Sequence, residues 1–233
     1  MRLIAIGDIH GHLEKLNKLL GIVRPAQNDK LVFLGDYIDR GPDSKGVVGR
    51  LMELAEQIPC VFLRGNHEQM MLDALACDAP DRLLGWTQLA DISKHYAMET
   101  IYFKDAIVWL RNGAQDTMQS YGASQGQFPC QWDLIPQEHV DFLASSTLWH
   151  REKGFLFVHA GIYENRPLEN QTELMLWSRS CPPGKKEIHV VGHIPTPDGQ
   201  PYFEPGRYSL DSGAGLGEPL TACDVLTQEI WQA

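Results

Sequence analysis

Short hydrophobic runs recur along the chain, each ending at a glycine or at a polar side chain. The runs contain three or four residues and are rich in Val, Ile, Leu and Phe. Such runs are typical of buried β-strands. The pattern therefore predicts six strands: Leu3–Ile6, Leu31–Leu34, Val61–Leu63, Phe155–Val158, Ile188–Val191 and Tyr208–Leu210.

Two longer segments between the first three runs have the spacing of amphipathic helices. Apolar side chains recur every three or four positions in residues 12–23, and residues 44–57 repeat this period. Strands that alternate with helices form βαβ units in a largely parallel sheet. After Phe155 we predict no helix between the strands, and Leu220–Trp231 is predicted to form a hairpin or an edge pair. The fold class predicted is α/β, a sandwich with a parallel first half and a mixed second half.

The region between the two series of strands, residues 69–152, is predicted to be mostly helical and to cap one end of the sheet. The chain has no internal repeat and no segment with the composition of a linker. We therefore predict a single domain over residues 1–233, with this helical cap inside it. Five aromatic residues of the cap are predicted to be mainly core, although they are also candidates for lining a substrate surface: Trp86, Trp109, Tyr121, Phe128 and Trp132.

Composition and charge narrow the possible functions. Hydrophobic residues make up 43% and charged residues 21%, as in soluble globular proteins. The formal net charge of −10, with no cluster of Lys or Arg, predicts that neither nucleic acid nor an anionic membrane is a partner. The 5 cysteines form no Cys-x-x-Cys pair, which argues against a disulfide framework or a structural zinc site. Without a signal peptide or an apolar run near ~20 residues, a cytoplasmic location is predicted.

Side chains able to bind metal ions follow the predicted strands. In open α/β sheets, ligands bind at the carboxyl ends of the strands. Mixed oxygen and nitrogen donors favour Mn²⁺, Fe or Zn²⁺ over Ca²⁺. Six donors are too many for one catalytic ion with an open position, so two ions that share a carboxylate are predicted. The six candidates are Asp8, His10, Asp36, Asn66, His159 and His193.

Taken together, five motifs resemble those of the phosphoprotein phosphatase family. The motifs are Gly7-Asp8-Ile9-His10-Gly11, Gly35-Asp36-Tyr37-Ile38-Asp39-Arg40-Gly41, Gly65-Asn66-His67-Glu68, His159-Ala160-Gly161 and Gly192-His193. The resemblance implies the calcineurin-like metallophosphoesterase fold, a β-sandwich of mixed sheets flanked by helices, with a dinuclear metal site at the carboxyl ends of the strands. The resemblance extends to Gly213, and the compact chain is similar to small bacterial and phage serine/threonine phosphatases.

The resemblance also implies how the metal ions are held and used. Two divalent ions are implied, Mn²⁺ foremost, with Fe or Zn²⁺ as alternatives, and a hydroxide that bridges them would attack phosphorus. The implied ligands are Asp8 and His10 for one ion, Asn66, His159 and His193 for the other, and Asp36 as the bridge.

Other matched residues correspond to the phosphate-binding and proton-transfer groups of the family. Arg40 and Arg64, together with the Asn66 amide, are implied to contact phosphate oxygens. Arg179 follows Leu-Trp-Ser, a segment that resembles the surroundings of a further phosphate-binding arginine. His67 corresponds to the general acid and Asp39 to the carboxylate that orients it.

The leading hypothesis is a metal-dependent phosphatase that hydrolyses phosphomonoesters, above all phosphoserine and phosphothreonine in proteins. The alternative is a symmetrical dinucleoside tetraphosphate hydrolase, because such enzymes share the family core. Asp39 favours the phosphatase, since tetraphosphatases typically have a small residue there, and Glu68 favours it because they often have Asp. A phosphoprotein-binding scaffold is disfavoured by the complete set of ligands, and a nuclease by the net charge.

Overall fold

Two five-stranded sheets form the centre of the computed structural model, which describes residues 1–83, 102–124 and 130–233. All six predicted strands are present, with ends that differ by one residue at most. The predictions omitted β4 and β7, which lie at the two edges of the second sheet. The strands are β1 (Leu3–Ile6), β2 (Lys30–Phe33), β3 (Cys60–Phe62), β4 (Trp149–Glu152), β5 (Phe155–Val158), β6 (Ile188–Val191), β7 (Tyr202–Glu204), β8 (Arg207–Ser209), β9 (Thr221–Asp224) and β10 (Glu229–Gln232).

Both sheets are mixed, so the predicted α/β sandwich of mixed sheets is confirmed. The first sheet has the order β10-β9-β1-β2-β3, in which β1, β2 and β3 are parallel, as predicted. β9 pairs antiparallel with β1 and with β10, so the predicted hairpin at the end of the chain is present. The second sheet has the order β4-β5-β6-β8-β7, with a parallel centre and antiparallel edges.

Helices cover the first sheet and form the cap. In the described ranges they are α1 (Leu13–Val23), α2 (Ser44–Ala55), α3 (Asn66–Asp78), α4 (Tyr102–Arg111), α5 (Ala114–Ser120), α6 (Gln137–Ser145) and α7 (Thr172–Trp177). α1 and α2 confirm the two predicted helices. The expectation that no helix separates the later strands was wrong, because α7 lies between β5 and β6. Its six residues are too few to produce a recognisable period.

The core is arranged in layers, because β1 is buried on both faces. Ile4 and Ile6 pack among the helices, whereas Leu3 and Ala5 pack in a cluster that contains Phe157 of the second sheet. The two sheets therefore stack face to face. This stacking brings the carboxyl ends of β1 and β2 to the same side of the molecule as those of β5 and β6.

Three of the five aromatic residues singled out in the cap belong to the core. Trp109, Tyr121 and Trp132 are buried, and the rings of the two tryptophans stack with centroids 5.5 Å apart. The prediction that these residues are mainly core is confirmed for these three, while Trp86 and Phe128 lie outside the described residues. Among the described helices, none combines the length and hydropathy needed to cross a bilayer.

Candidate active site

The predicted metal ligands meet where the strands of both sheets end. Two overlapping sets of side chains can each hold a metal ion, and within each set the ligand atoms lie within 4.8 Å of one another. The first set is His10, Asp36 and His67, and the second is Asp36, His159 and His193. Asp36 is common to both.

The two oxygens of Asp36 face different sets. Its Oδ2 lies 3.6 Å from Nε2 of His10, and its Oδ1 lies 3.4 Å from Nε2 of His159. The backbone N–H of His67 donates to the same Oδ1 at 3.1 Å, which fixes the carboxylate. This is the arrangement that a bridging ligand requires, and the bridging role itself stays a prediction.

Asn66 and Asp8 complete the group of predicted ligands. Asn66 lies in the first turn of α3, with its Oδ1 3.0 Å from Nε2 of His159. Asp8 accepts a hydrogen bond at Oδ2 from the backbone N–H of His193, at 3.0 Å. Its Oδ1 is buried and has no hydrogen-bond partner among the residues that the structure describes. Because a buried carboxylate oxygen is costly to leave unpaired, this atom fits a bound cation.

The charges of the cluster fit divalent metal ions as well. Burial raises the pKa of Asp8, with further contributions from Asp211 and Asp36. Burial also raises the pKa of Glu68 to about 7 and that of Asp211 to about 6. It lowers the pKa of His10 to about 3. Burial thus disfavours the charged form of these three carboxylates, which a bound cation would stabilise, and the neutral imidazole of His10 is in the form that coordinates metals.

His67 and Asp39 form a buried pair close to the ligands. Nδ1 of His67 lies 2.7 Å from Oδ2 of Asp39. Burial alone would lower the pKa of His67, but the charge of Asp36 and the hydrogen bond to Asp39 outweigh it, so the pKa is raised. A raised pKa favours the protonated ring, which is the form that a general acid requires.

Two residues that the sequence analysis did not assign to the site hold Asp39 in place. Nε1 of Trp109 donates to Oδ2 of Asp39 at 2.9 Å, and Oγ1 of Thr117 donates to Oδ1 at 2.6 Å. Trp109 lies in α4 and Thr117 in α5, so two helices of the cap position the buried pair of His67 and Asp39. No local spacing links these residues to Asp39, because they follow it by 70 and 78 positions.

Glu68 is the other contributor that the sequence analysis missed. Its carboxylate accepts hydrogen bonds from the backbone N–H groups of Asp36, Tyr37 and Gly65, at 2.8, 2.7 and 2.9 Å. It therefore ties the loop after β2 to the start of α3. The sequence feature that could have indicated this role is the position of Glu68 directly after His67 in the third motif.

Two glycines allow the backbone to approach the carboxylates closely. A Cβ atom at Gly65 would lie 2.1 Å from Oδ1 of Asp36, and one at Gly192 would lie 2.1 Å from Oδ1 of Asp8. Real Cβ atoms do not approach so closely. Glycine at these two motif positions therefore makes room for the acidic ligands.

Several site residues have left-handed backbone conformations. This region is uncommon for residues other than glycine and is found at functional sites. Of the non-glycine residues with positive φ in the described ranges, five belong to the site: His10, Asp36, Asp39, Arg40 and His193.

Arg40 reaches from the surface onto the histidines. Its Nη1 lies 2.9 Å from Nε2 of His10, and its Nη2 lies 3.1 Å from Nε2 of His67. Arg179 is exposed, and together with burial its charge contributes to the lowered pKa of His193, about 4. Arg40 therefore lies against two histidines of the site, and the predicted contacts of Arg40 and Arg179 with phosphate stay predictions.

Arg64 is placed differently. It is buried, and its guanidinium donates to Oε1 of Gln69 at 3.2 Å, to the carbonyl of Ala144 at 2.8 Å and to the carbonyl of Ser146 at 3.0 Å. These contacts join the segment before α3 to the end of α6. In this arrangement Arg64 supports the wall of the site, and its predicted contact with phosphate stays a prediction.

The two arginines should respond differently to substitution. We expect Arg40→Ala to weaken inhibition by inorganic phosphate roughly tenfold, since a charged hydrogen bond is worth about 1.5–3 kcal/mol. Arg64→Ala should instead lower the free energy of unfolding by about 2–4 kcal/mol, because it leaves buried acceptors unpaired. Inhibition constants and urea unfolding curves measure the two effects. Equal loss of phosphate inhibition with unchanged stability would place Arg64 on the phosphate instead.

Comparisons with known proteins agree with this geometry. The model of a family described as calcineurin-like phosphoesterase matches residues 1–215. Serine/threonine-protein phosphatase 1 of Salmonella typhimurium is 50% identical over 72 residues, covering 30% of this chain and 32% of that protein. The chain thus matches about a third of that relative's length.

Other matches extend along nearly the whole chain. The symmetrical bis(5'-nucleosyl)-tetraphosphatase of Ectopseudomonas mendocina is 35% identical over 284 residues, covering 97% of this chain and 95% of that protein. The crystal structure of a proposed diadenosine tetraphosphatase aligns with a TM-score of 0.63 at 24% identity, covering 100% of this chain and 92% of that chain. At this identity the structural match supports the fold alone.

Proposed function

Because the chain belongs to the calcineurin-like phosphoesterase family, we propose that this metallophosphoesterase cleaves dinucleoside tetraphosphates symmetrically. The observation that carries the proposal is the extent of similarity: the matched tetraphosphatase covers 97% of this chain, whereas the serine/threonine phosphatase covers 30%. This preference reverses the order of the two hypotheses drawn from the motifs. Asp39 and Glu68, which favoured the phosphatase, are single positions and weigh less than similarity along the chain.

Symmetrical cleavage balances as a hydrolysis. Water attacks one inner phosphorus of diadenosine tetraphosphate, the bond from that phosphorus to the central bridging oxygen breaks, and this oxygen leaves with the other half. Two molecules of ADP result. One hydrogen of the water stays on the new terminal phosphate until that group ionises, and the other leaves as a proton, which replaces any proton that the leaving oxygen takes up.

The site residues have separable tasks in this reaction. Asp8, His10, Asp36, Asn66, His159 and His193 would hold two metal ions. When bound, the ions supply Lewis-acid charge and an activated water. Arg40 can meet the phosphoryl oxygens, on which negative charge grows as the bond breaks.

His67 and Asp39 handle the proton of the leaving group. Asp39 accepts from Nδ1 of His67 at 2.7 Å, which leaves Nε2, beside the guanidinium of Arg40, as the nitrogen that can give a proton to the leaving group. A proton given by Nε2 to the departing oxygen makes that oxygen a better leaving group. The need is modest for ADP, whose phosphate is a weak base, and large for an alkoxide.

Hydrolysis of phosphoserine or phosphothreonine in proteins is the second candidate function. The buried His67–Asp39 pair supports it, because a strongly basic serine or threonine oxygen needs a general acid most. The 50% identity to the Salmonella phosphatase in its matched segment supports it also.

A comparison of substrates tests the proposal. Rates on diadenosine tetraphosphate, a phosphoserine peptide and nitrophenyl phosphate are measured side by side with Mn²⁺ added. We expect the highest kcat/KM with the tetraphosphate and ADP as its sole nucleotide product. ATP and AMP as products would contradict symmetrical cleavage. A preference for the phosphopeptide by tenfold or more would establish the second candidate.

A further inference from the structure

A cleft of about 530 Å³ lies directly beside the second set of metal ligands. Its wall includes Gly192 and Ile194, which flank His193 in the chain, and Ala160, which follows His159. Pockets for small ligands typically enclose roughly 300–1,000 Å³. A substrate whose phosphate reaches the metal ligands therefore has room for a further group in this cleft.

The cleft contains polar groups that the protein leaves unpaired. Oγ1 of Thr196 and Nε of Arg207 are buried without a hydrogen-bond partner within the described structure, and both residues line the cleft. Arg179 adds a second positive charge to the lining, and Asp198 is the acidic residue among those that line it. Buried polar groups are normally paired, so unpaired ones indicate a polar ligand. The exposed Arg179 favours an anionic one, because Arg207 is already paired with Glu204.

Tyr202 gives the cleft an open aromatic surface. Its side chain is 49% exposed, and the guanidinium of Arg207 lies over the ring, 6.0 Å from the centroid. Arg207 is itself fixed, since Nη1 donates to the carbonyl of Cys181 at 2.6 Å and Nη2 contacts Glu204 at 2.7 Å. The ring is thus supported by a held arginine and remains available for stacking against a flat group.

We infer that this cleft binds one nucleoside half of the dinucleoside polyphosphate, with the base stacked on Tyr202 and the adjoining phosphates near Arg179. The inference rests on the proposed function and extends it from the reacting phosphorus to the nucleoside. Thr196 and Asp198 supply a hydroxyl and a carboxylate that can pair with ribose hydroxyls. A planar ring next to cationic side chains suits a nucleotide better than an extended peptide.

Calorimetric titration of the Mn²⁺-loaded protein with ADP tests the inference. We expect Tyr202→Ala to weaken ADP binding roughly tenfold, because it removes base stacking. Tyr202→Phe keeps the ring and should bind like the wild type. Binding of inorganic phosphate should be unchanged in both variants. Tyr163→Ala is the matched control, since Tyr163 is also exposed beneath an arginine, Arg166, and lies outside the cleft.

The outcomes separate this inference from the proposed function. Unchanged ADP binding in Tyr202→Ala would overturn the cleft assignment even if the protein cleaves diadenosine tetraphosphate. Tyr202-dependent ADP binding without cleavage of the tetraphosphate would uphold the nucleoside site and overturn the proposed function. Equal weakening of ADP and phosphate would also overturn the assignment, because it would mean a change at the metal ligands. Competition for ADP by a phosphoserine peptide that also requires Tyr202 would assign the cleft to peptide.

Discussion

His67→Asn is expected to reduce kcat on a phosphoserine peptide by about 10²–10⁴-fold, the usual contribution of a general acid. The loss should be much smaller with nitrophenyl phosphate and diadenosine tetraphosphate, whose leaving groups are weak bases. Asp39→Asn should show the same order of substrates with smaller losses, because Asp39 acts through the imidazole. Steady-state rates on the three substrates measure the effect, provided that chemistry limits the rate.

A buried histidine elsewhere serves as the control for this prediction. His139 is buried and lies 2.8 Å from the hydroxyl of Tyr121, away from the metal ligands. His139→Asn should leave the ratio of rates among the substrates unchanged, whatever it does to stability. Equal losses on all three substrates in His67→Asn would contradict the general-acid role and would make His67 a phosphate-binding residue.

Asp36→Asn is expected to abolish tight binding of both metal ions and to reduce activity by more than about 10²-fold. The reason is geometric: its two oxygens face the two sets of ligands, so one substitution removes negative charge from both. His193→Ala should chiefly affect one ion, because His193 belongs to a single set. Elemental analysis after desalting reports the metal content independently of activity.

Asp224 provides a matched carboxylate for the metal experiment. It is buried and its Oδ1 accepts the backbone N–H of Leu3 at 3.2 Å, with no part in either set of ligands. Asp224→Asn should keep the full metal content, even where unfolding in urea reveals lower stability. Retention of two tightly held ions and of full activity in Asp36→Asn would exclude the bridging role.

The strands and the metal ligands were accessible from the sequence because their signals are local. A buried strand is a short apolar run, and the residue that follows it, such as Asp36 after β2, lies at the edge where ligands bind. The edge strands β4 and β7 lacked this signal: Trp149–Glu152 and Tyr202–Glu204 mix polar with apolar residues and are only partly buried. An edge strand pairs with a neighbour on one side only, so it can form without a continuous run of apolar residues.

The supports of the site depend on contacts between distant residues, which no local pattern records. Trp109 was assigned to the cap from its position and to the core from its type, yet its indole N–H holds Asp39. Arg64 lies between a strand and a motif, which is where the sequence analysis expected a phosphate ligand. Its structural role depends on hydrogen bonds to the carbonyls of Ala144 and Ser146, about 80 residues away in the chain. The cleft beside His193 likewise arises from residues of several segments.

The left-handed backbone at the site has a consequence for how the sequence can evolve. Asp and His adopt the left-handed conformation more readily than most residues. The backbone strain is therefore small at the four of these five positions that are Asp or His. Arg40, at φ 68°, has no such tolerance and is kept there at a cost of roughly 1–2 kcal/mol. In a duplicated copy released from selection for catalysis, we expect Arg40 to drift to Gly or Asn before the neighbouring acids change. The residue at position 40 would then distinguish catalytically inactive from active copies among the descendants of this chain.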